Sequence, residues 1–147
     1  MKQDSKLSLA LHALGHMARA PGQPMTSDVI AQHNATNPVV VRRVLGLLRD
    51  KGIVLSEKGH AGGWRLARPP ATITLADVYL AIGEPFLRPQ PLSDMPSCAV
   101  VAAMQGTVLA AMAEAEAVLI RHFTACTIAD LGAAMQDGMQ QAMRNSL

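Results

Sequence analysis

Residues 26–50 impose the tightest constraint on the chain, because two helical segments there are separated by only four residues. Thr26 or Ser27 can cap a short helix over Ser27–His33, and Asn34-Ala35-Thr36-Asn37 is a turn of short side chains. Pro38 stands where the next helix, Pro38–Asp50, begins. Proline suits that first position because its missing amide hydrogen would have no helical partner there. Three consecutive valines, Val39 to Val41, are poor intrinsic helix formers, so this helix rests on capping and spacing. Val41, Val44, Leu45 and Leu48 share one face, while Val39, Arg42, Arg43 and Gly46 turn toward another. Two helices joined by a tight polar turn, the second carrying basic groups outward, form a helix-turn-helix pattern. Lys51-Gly52 ends it.

The flanking segments complete a winged module. A first helix over Lys6–Arg19 places Leu7, Ala10, Leu11, Leu14, Met17 and Ala18 on one stripe, with Ser5 as cap and Pro21-Gly22 as terminator. Two short strands, Ile53–Ser56 and Trp64–Ala67, flank a glycine-rich loop and read as a two-stranded wing closed by Pro69-Pro70. A short helix follows over Thr74–Ile82, with Asp77 three residues after the Thr74 cap. A proline-rich connector spans residues 83–97, a long apolar helix Ala99–Phe123, and a closing helix Thr127–Met139. Hydrophobic residues make up 50% of the chain but aromatics only 3%, so Ala, Leu, Val and Met form the core and favour close-packed helices. The fold class expected is mainly α: a winged helix-turn-helix with a small two-stranded wing and a long C-terminal helix whose apolar stripe must pack on the body or on a second copy, where it would be a dimerisation helix. Its units are a DNA-binding body (1–82), a connector or sensor loop (83–98), and the long helix with its closing helix (99–147).

Charge divides the chain in the same way. Residues 1–70 hold 10 Lys+Arg against 4 Asp+Glu, and residues 71–147 hold 3 against 7, so a net +6 half precedes a net −4 half. The first suits an anion, the second a protein or solvent. Two cysteines cannot supply a multi-disulfide framework, and neither a secretory signal nor a membrane span is indicated, which makes a cytoplasmic location the expectation. No nucleophile–base group, paired-carboxylate pattern or phosphate loop stands out, so the chain is not read as an enzyme.

The basic module supplies the candidate site. Thr36, Asn37 and Val39 lie at the leading end of the candidate recognition helix, and Ser27 at the start of the helix before it. Arg42 or Arg43 can reach phosphate or guanine edges, and Val39 a thymine methyl. Lys58, His60 and Arg65 are the wing candidates, with Gly59, Gly62 and Gly63 permitting close passage. Trp64 reads as a packing residue for the wing. His12 and His16, at i and i+4, have the spacing of a metal pair but no evident third ligand, so no metal is assigned to them and they are placed on the polar side of the first helix.

Together Leu7–Met17, residues 26–31, residues 37–45 and Gly62-Gly63-Trp64-Arg65-Leu66-Ala67-Arg68 resemble the Rrf2 family of bacterial winged-helix transcription regulators, and residues 127–131 extend the likeness over almost the whole chain. The resemblance implies a homodimer paired through the helix 99–123 that binds double-stranded DNA at an imperfect promoter palindrome, with repression as the leading role. Cluster-bearing members use three cysteines around the connector; here that region has only Cys98, and Glu84, Gln90, Asp94 and Ser97 do not replace thiolates, so no cofactor is expected and an iron–sulfur cluster is disfavoured. Cys98 is either a small buried hydrophobe or, as a thiolate at a helix start, a redox or electrophile sensor, and a small-molecule signal is equally compatible. Cys126 lies 28 residues further on, about 42 Å along an unbroken helix, so only an intersubunit bridge between antiparallel helices could join the two. A protein adaptor that uses the same fold without binding DNA is the alternative from another class.

Overall fold

A computed structural model describes residues 6–88 and 98–145, excluding the side chain of Asn145; the expected Ser5 cap and most of the connector, including Gln90, Asp94 and Ser97, lie outside the described residues. Helix α1 (Lys6–Arg19) is the central element, burying Leu7, Leu9, Ala10, Ala13, Leu14 and Met17. Around it stand α2 (Ser27–His33), α3 (Pro38–Asp50) and α4 (Leu75–Ile82), followed by the long α5 (Ala99–Thr124) and α6 (Ile128–Asn145). Val41, Val44, Leu45 and Leu48 of α3 are all buried, as their shared face requires. Each such side chain contributes about 1.5–3 kcal/mol over leaving it in water.

The wing comprises β1 (Val54–Glu57) and β2 (Gly63–Leu66), antiparallel with Val54 opposite Leu66 and Glu57 opposite Gly63. Both strands sit one residue away from the spans predicted by the sequence. The reason is that Glu57 pairs with Gly63, carrying both strands one residue further into the loop. A third strand-like contact joins them: the Met25 and Trp64 backbones exchange two hydrogen bonds of 2.8 Å, drawing β2 toward the start of α2. Between the wing and α4, Pro70–Thr72 adds a single 3-10 turn.

The chain's end returns to its beginning. Helix α6 runs to Asn145, six residues beyond the sequence-predicted end at Met139, and packs along α1. At this contact a Cβ on Gly15 would meet the Met135 sulfur at 2.6 Å and one on Gly132 the Ala18 Cβ at 3.2 Å. The starts of α4 and α6 lie side by side, joined by a bridge between Thr74 and Thr127. Each carries reciprocal Thr–Asp hydrogen bonds, Thr74 with Asp77 as the sequence predicts and Thr127 with Asp130 at the matching position.

Helix α5 is different. None of its 26 residues is buried, and Val100, Met104, Val108, Leu109 and Val118 are exposed. Its C-terminal turns alone are anchored: Phe123 meets Tyr79 and Phe86 edge-on, and the Tyr79 hydroxyl donates to Glu116 at 2.8 Å. With a mean hydropathy of 1.3 over 18 residues, α5 is long and apolar enough to cross a membrane by length and composition alone, a test that helices of soluble proteins also pass. Alanine raised the average without producing the bulky run sought in the sequence.

Asp77 also receives the Arg68 guanidinium at 3.1 Å. Burial alone would raise its pKa, but the Thr74 amide and then Arg68 outweigh that and hold the carboxyl below its ordinary value. A depressed carboxyl stabilises the fold above its unfolded pKa and loses that contribution as pH falls through the folded one. Asp77→Ala should therefore cost about 1 kcal/mol at neutral pH, a modest figure because water screens this partly exposed pair. In urea denaturation that difference should shrink steadily in acid; a constant difference down to the lowest pH would show that the charge is not its source.

Candidate nucleic-acid interface

Helix α3 is set by its cap. The Asn37 side-chain oxygen accepts from the Val39 and Val40 amides, both at 3.1 Å, and Pro38 fills the first position. The preceding turn closes with the Thr36 amide donating to the Ala31 carbonyl at 3.0 Å and Ala35 in the left-handed region at φ 49°. On the face opposite the core, Asn37, Val39, Arg42 and Arg43 are exposed together, Val39 at 60%, and Thr36 is half-buried at the edge of the same surface.

The wing brings Lys58 and His60 to an exposed tip. Arg65 is half-exposed, but its guanidinium is engaged by Glu57 across the hairpin, so it reaches an external anion only by releasing that carboxylate. Ser27 does not join this surface. It is 8% exposed, and its hydroxyl accepts the Trp64 indole N–H at 2.9 Å. Sequence reasoning missed this partnership because the residues are 37 positions apart. Arg68, quoted only within the family motif, is likewise structural, donating to the Thr72 carbonyl and Asp77.

Gly62 and Gly63 have a steric role. A Cβ on Gly62 would lie 2.3 Å from the Glu57 carbonyl oxygen, and one on Gly63, at φ +152°, would lie 2.7 Å from that of Met25. Gly59, at φ +103°, turns the tip in open space.

Behind the turn, His12 and His16 are half-buried rather than simply solvated, and His33 of α2 joins them. Cys98, expected as a possible sensor, is the N-terminal residue before α5. The Val101 and then the Val100 amides point toward its sulfur without closing a capping hydrogen bond, and they hold the thiol below its ordinary pKa. Cys126 follows the far end of the same helix, and both cysteines are free.

Residues 3–134 match the Rrf2 family model, described as an iron-dependent transcriptional regulator. Relatives include the Bacillus subtilis protein YwnA, named as an HTH-type transcriptional regulator, 38% identical over 54% of this chain and 57% of its own. Rv1287 of Mycobacterium tuberculosis, named in the same way, is 32% identical over 65% of this chain and 62% of its own. The chain thus spans just over half the length of the curated relatives it matches. Among solved structures, a transcriptional regulator from Lactobacillus plantarum superposes with a TM-score of 0.73 at 22% identity, covering 97% of this chain and 98% of that one. The global cysteine regulator CymR of B. subtilis gives 0.62 at 22% identity, covering 91% and 98%. At these identities the two structures show the fold alone. Beside the iron in the family's description, the chain has two cysteines, and the whole of α5 separates them.

Gly63→Ala should destabilise the protein by about 2 kcal/mol, because the obstructing atom is backbone and cannot rotate away. Denaturant melts should show this with tryptophan emission reporting the disturbed Trp64; unchanged stability would mean that β2 does not approach Met25 so closely.

Proposed function

The chain belongs to the Rrf2 family of transcriptional regulators, and from that premise we propose that it binds double-stranded DNA as a homodimer and represses transcription from an imperfect palindrome. The observation that carries the reading is the two-sided character of α3. One face is wholly buried, while Val39, Arg42 and Arg43 stand exposed on a helix whose leading end is fixed by the Asn37 cap. In this reading α3 enters the major groove, with Arg42 and Arg43 toward guanine edges or phosphates and Val39 toward a thymine methyl. Lys58 and His60 follow the neighbouring backbone, and the protein works in the cytoplasm without an iron–sulfur cluster.

The unburied apolar surface of α5 supports pairing with a second copy. Glu114, Glu116 and Arg121 lie on the same helix, and charged groups of that kind are costly in a bilayer but tolerable beside a protein partner. Pairing along α5 would fix the separation of the two recognition helices and hence the half-site spacing. Selection of bound duplexes from a random library should yield a two-half-site sequence, and Arg42→Ala and Arg43→Ala should each weaken it by roughly tenfold to a hundredfold. Loss confined to particular base positions identifies a base reader; a uniform loss with a shallower salt dependence identifies a phosphate contact. Met104→Asp with Val108→Asp should give monomers in sedimentation and abolish the two-half-site footprint. An unchanged footprint in both arginine variants would overturn the assignment of α3.

A second reading adds an input, and the amides facing the Cys98 sulfur favour it. A thiol held below its ordinary pKa is more often thiolate at neutral pH and is oxidised more readily. Peroxide should then change DNA affinity in the native protein and leave Cys98→Ser unaffected; an equal response in both would remove Cys98 from the mechanism. Non-reducing electrophoresis after the same treatment would also reveal a Cys98–Cys126 bridge between subunits.

A further inference from the structure

We propose that His12, His16 and His33 form a binding site for one divalent transition-metal ion of the zinc, cobalt or nickel class, clamping α1 to the C-terminal end of α2. His12 and His16 lie one turn apart, and their Nε2 atoms face each other at 3.2 Å. With metal–nitrogen bonds of about 2.0–2.1 Å, adjacent ligands of a tetrahedral or octahedral ion stand about 2.9–3.4 Å apart. The two imidazoles already hold that edge.

The surrounding hydrogen bonds prepare His12 for coordination. The Asn34 side-chain nitrogen donates to the Ile30 carbonyl at 2.8 Å, which orients the amide and turns its oxygen toward His12 Nδ1, also at 2.8 Å. An amide oxygen only accepts, so Nδ1 carries the proton and Nε2 keeps its lone pair. This is the outer-shell arrangement that fixes the tautomer of metal-binding histidines. In the metal-free form, His16 fills the gap by donating its Nε2–H. Metal binding moves that proton to His16 Nδ1, so neutral imidazoles bind without net proton release.

His33 supplies the third donor. It is exposed, on the last turn of α2, with its ring centre 4.8 Å from that of His16. Among the described residues no three such groups are already converged on a point, so the site closes by rotation of the His33 side chain. Arg19, three residues beyond His16 on the last turn of α1, opposes a cation, so binding is weaker than at a structural zinc site.

The test uses the full chain freed of metal by chelation and titrated with zinc in a calorimeter and with cobalt under a spectrophotometer. One ion should bind per chain, with cobalt absorption characteristic of nitrogen ligation. His16→Gln should weaken binding more than tenfold, and His33→Gln by several-fold, while Cys98→Ser with Cys126→Ser should leave it unchanged. Because His33 is exposed, its variant keeps the test decisive should His16→Gln fail to fold. Absence of binding below about 1 mM, insensitivity to both histidine changes, or dependence on the cysteines would each overturn the site. No DNA is present in the titration, so its outcome is independent of the proposed operator binding.

Discussion

The Trp64 indole enters the protein beneath the wing and donates its single N–H to the Ser27 hydroxyl, while the Trp64 backbone pairs with Met25 on the same side. A buried indole without an acceptor would cost about 1–3 kcal/mol, and here the acceptor lies on the first residue of the helix-turn-helix. The wing is thereby indexed to α2 through side chain and backbone together. Helix α2 is in turn indexed to α3 through the closed turn at Ala35–Asn37. A two-stranded hairpin alone is only marginally stable in water, so the relative placement of wing and recognition helix depends on this contact. Glycine at 63 is required by it, because a Cβ there would strike the Met25 backbone, whereas glycine at 62 is required by the wing's own turn, where a Cβ would strike the Glu57 carbonyl.

A second constraint operates at the other pole. Helices α4 and α6 begin beside one another, with the Leu75 amide donating to the Cys126 carbonyl and the Ile128 amide to the Ile73 carbonyl, both at 2.9 Å. This junction returns the chain to the body after α5 and lets α6 lie along α1. Helix α5 is thus fixed at its C-terminal end, by the junction and by the Tyr79, Phe86 and Phe123 rings, while its remaining length projects with no core beneath it. Three of the chain's four aromatic residues are spent on that anchor. The scarcity of aromatics elsewhere follows from a body built on helices close enough to need alanine and glycine.

Local signals made much of this readable from sequence. The bounds of α1, α2 and α3 were legible because Pro21-Gly22, the Asn34–Asn37 turn and Pro38 act within a few residues of the ends they define. The Thr–Asp boxes were legible for the same reason. The strand bounds slipped by one because Glu57 pairs with Gly63, a glycine that the sequence pattern leaves in the loop. The end of α6 was set too early because Gly138 weakens a helix without ending it, and the helix continues to Asn145. At the candidate interface, exposure of Val39, Arg42 and Arg43 followed from helical periodicity. The engagement of Arg65 by Glu57 and the burial of Ser27 did not, since both depend on partners brought near only by folding. His33 joined His12 and His16 for that reason as well.

Family membership and site chemistry rest on different residues in this chain. The fold needs the apolar faces of α1 and α3, the caps, and the glycine pair of the wing, and all of these are present. An iron–sulfur cluster needs several thiolates converging on one point, and neither the core nor the wing imposes that requirement. With Cys98 before α5 and Cys126 after it, about 40 Å of helix stands between the only two thiols, so one subunit cannot direct both at a single cluster. The iron in the family's description therefore does not follow from the features that place the chain in the family. The reactive side chains outside the core are instead divided between Cys98 before α5 and the histidines at the α1–α2 junction, neither of which the fold itself requires.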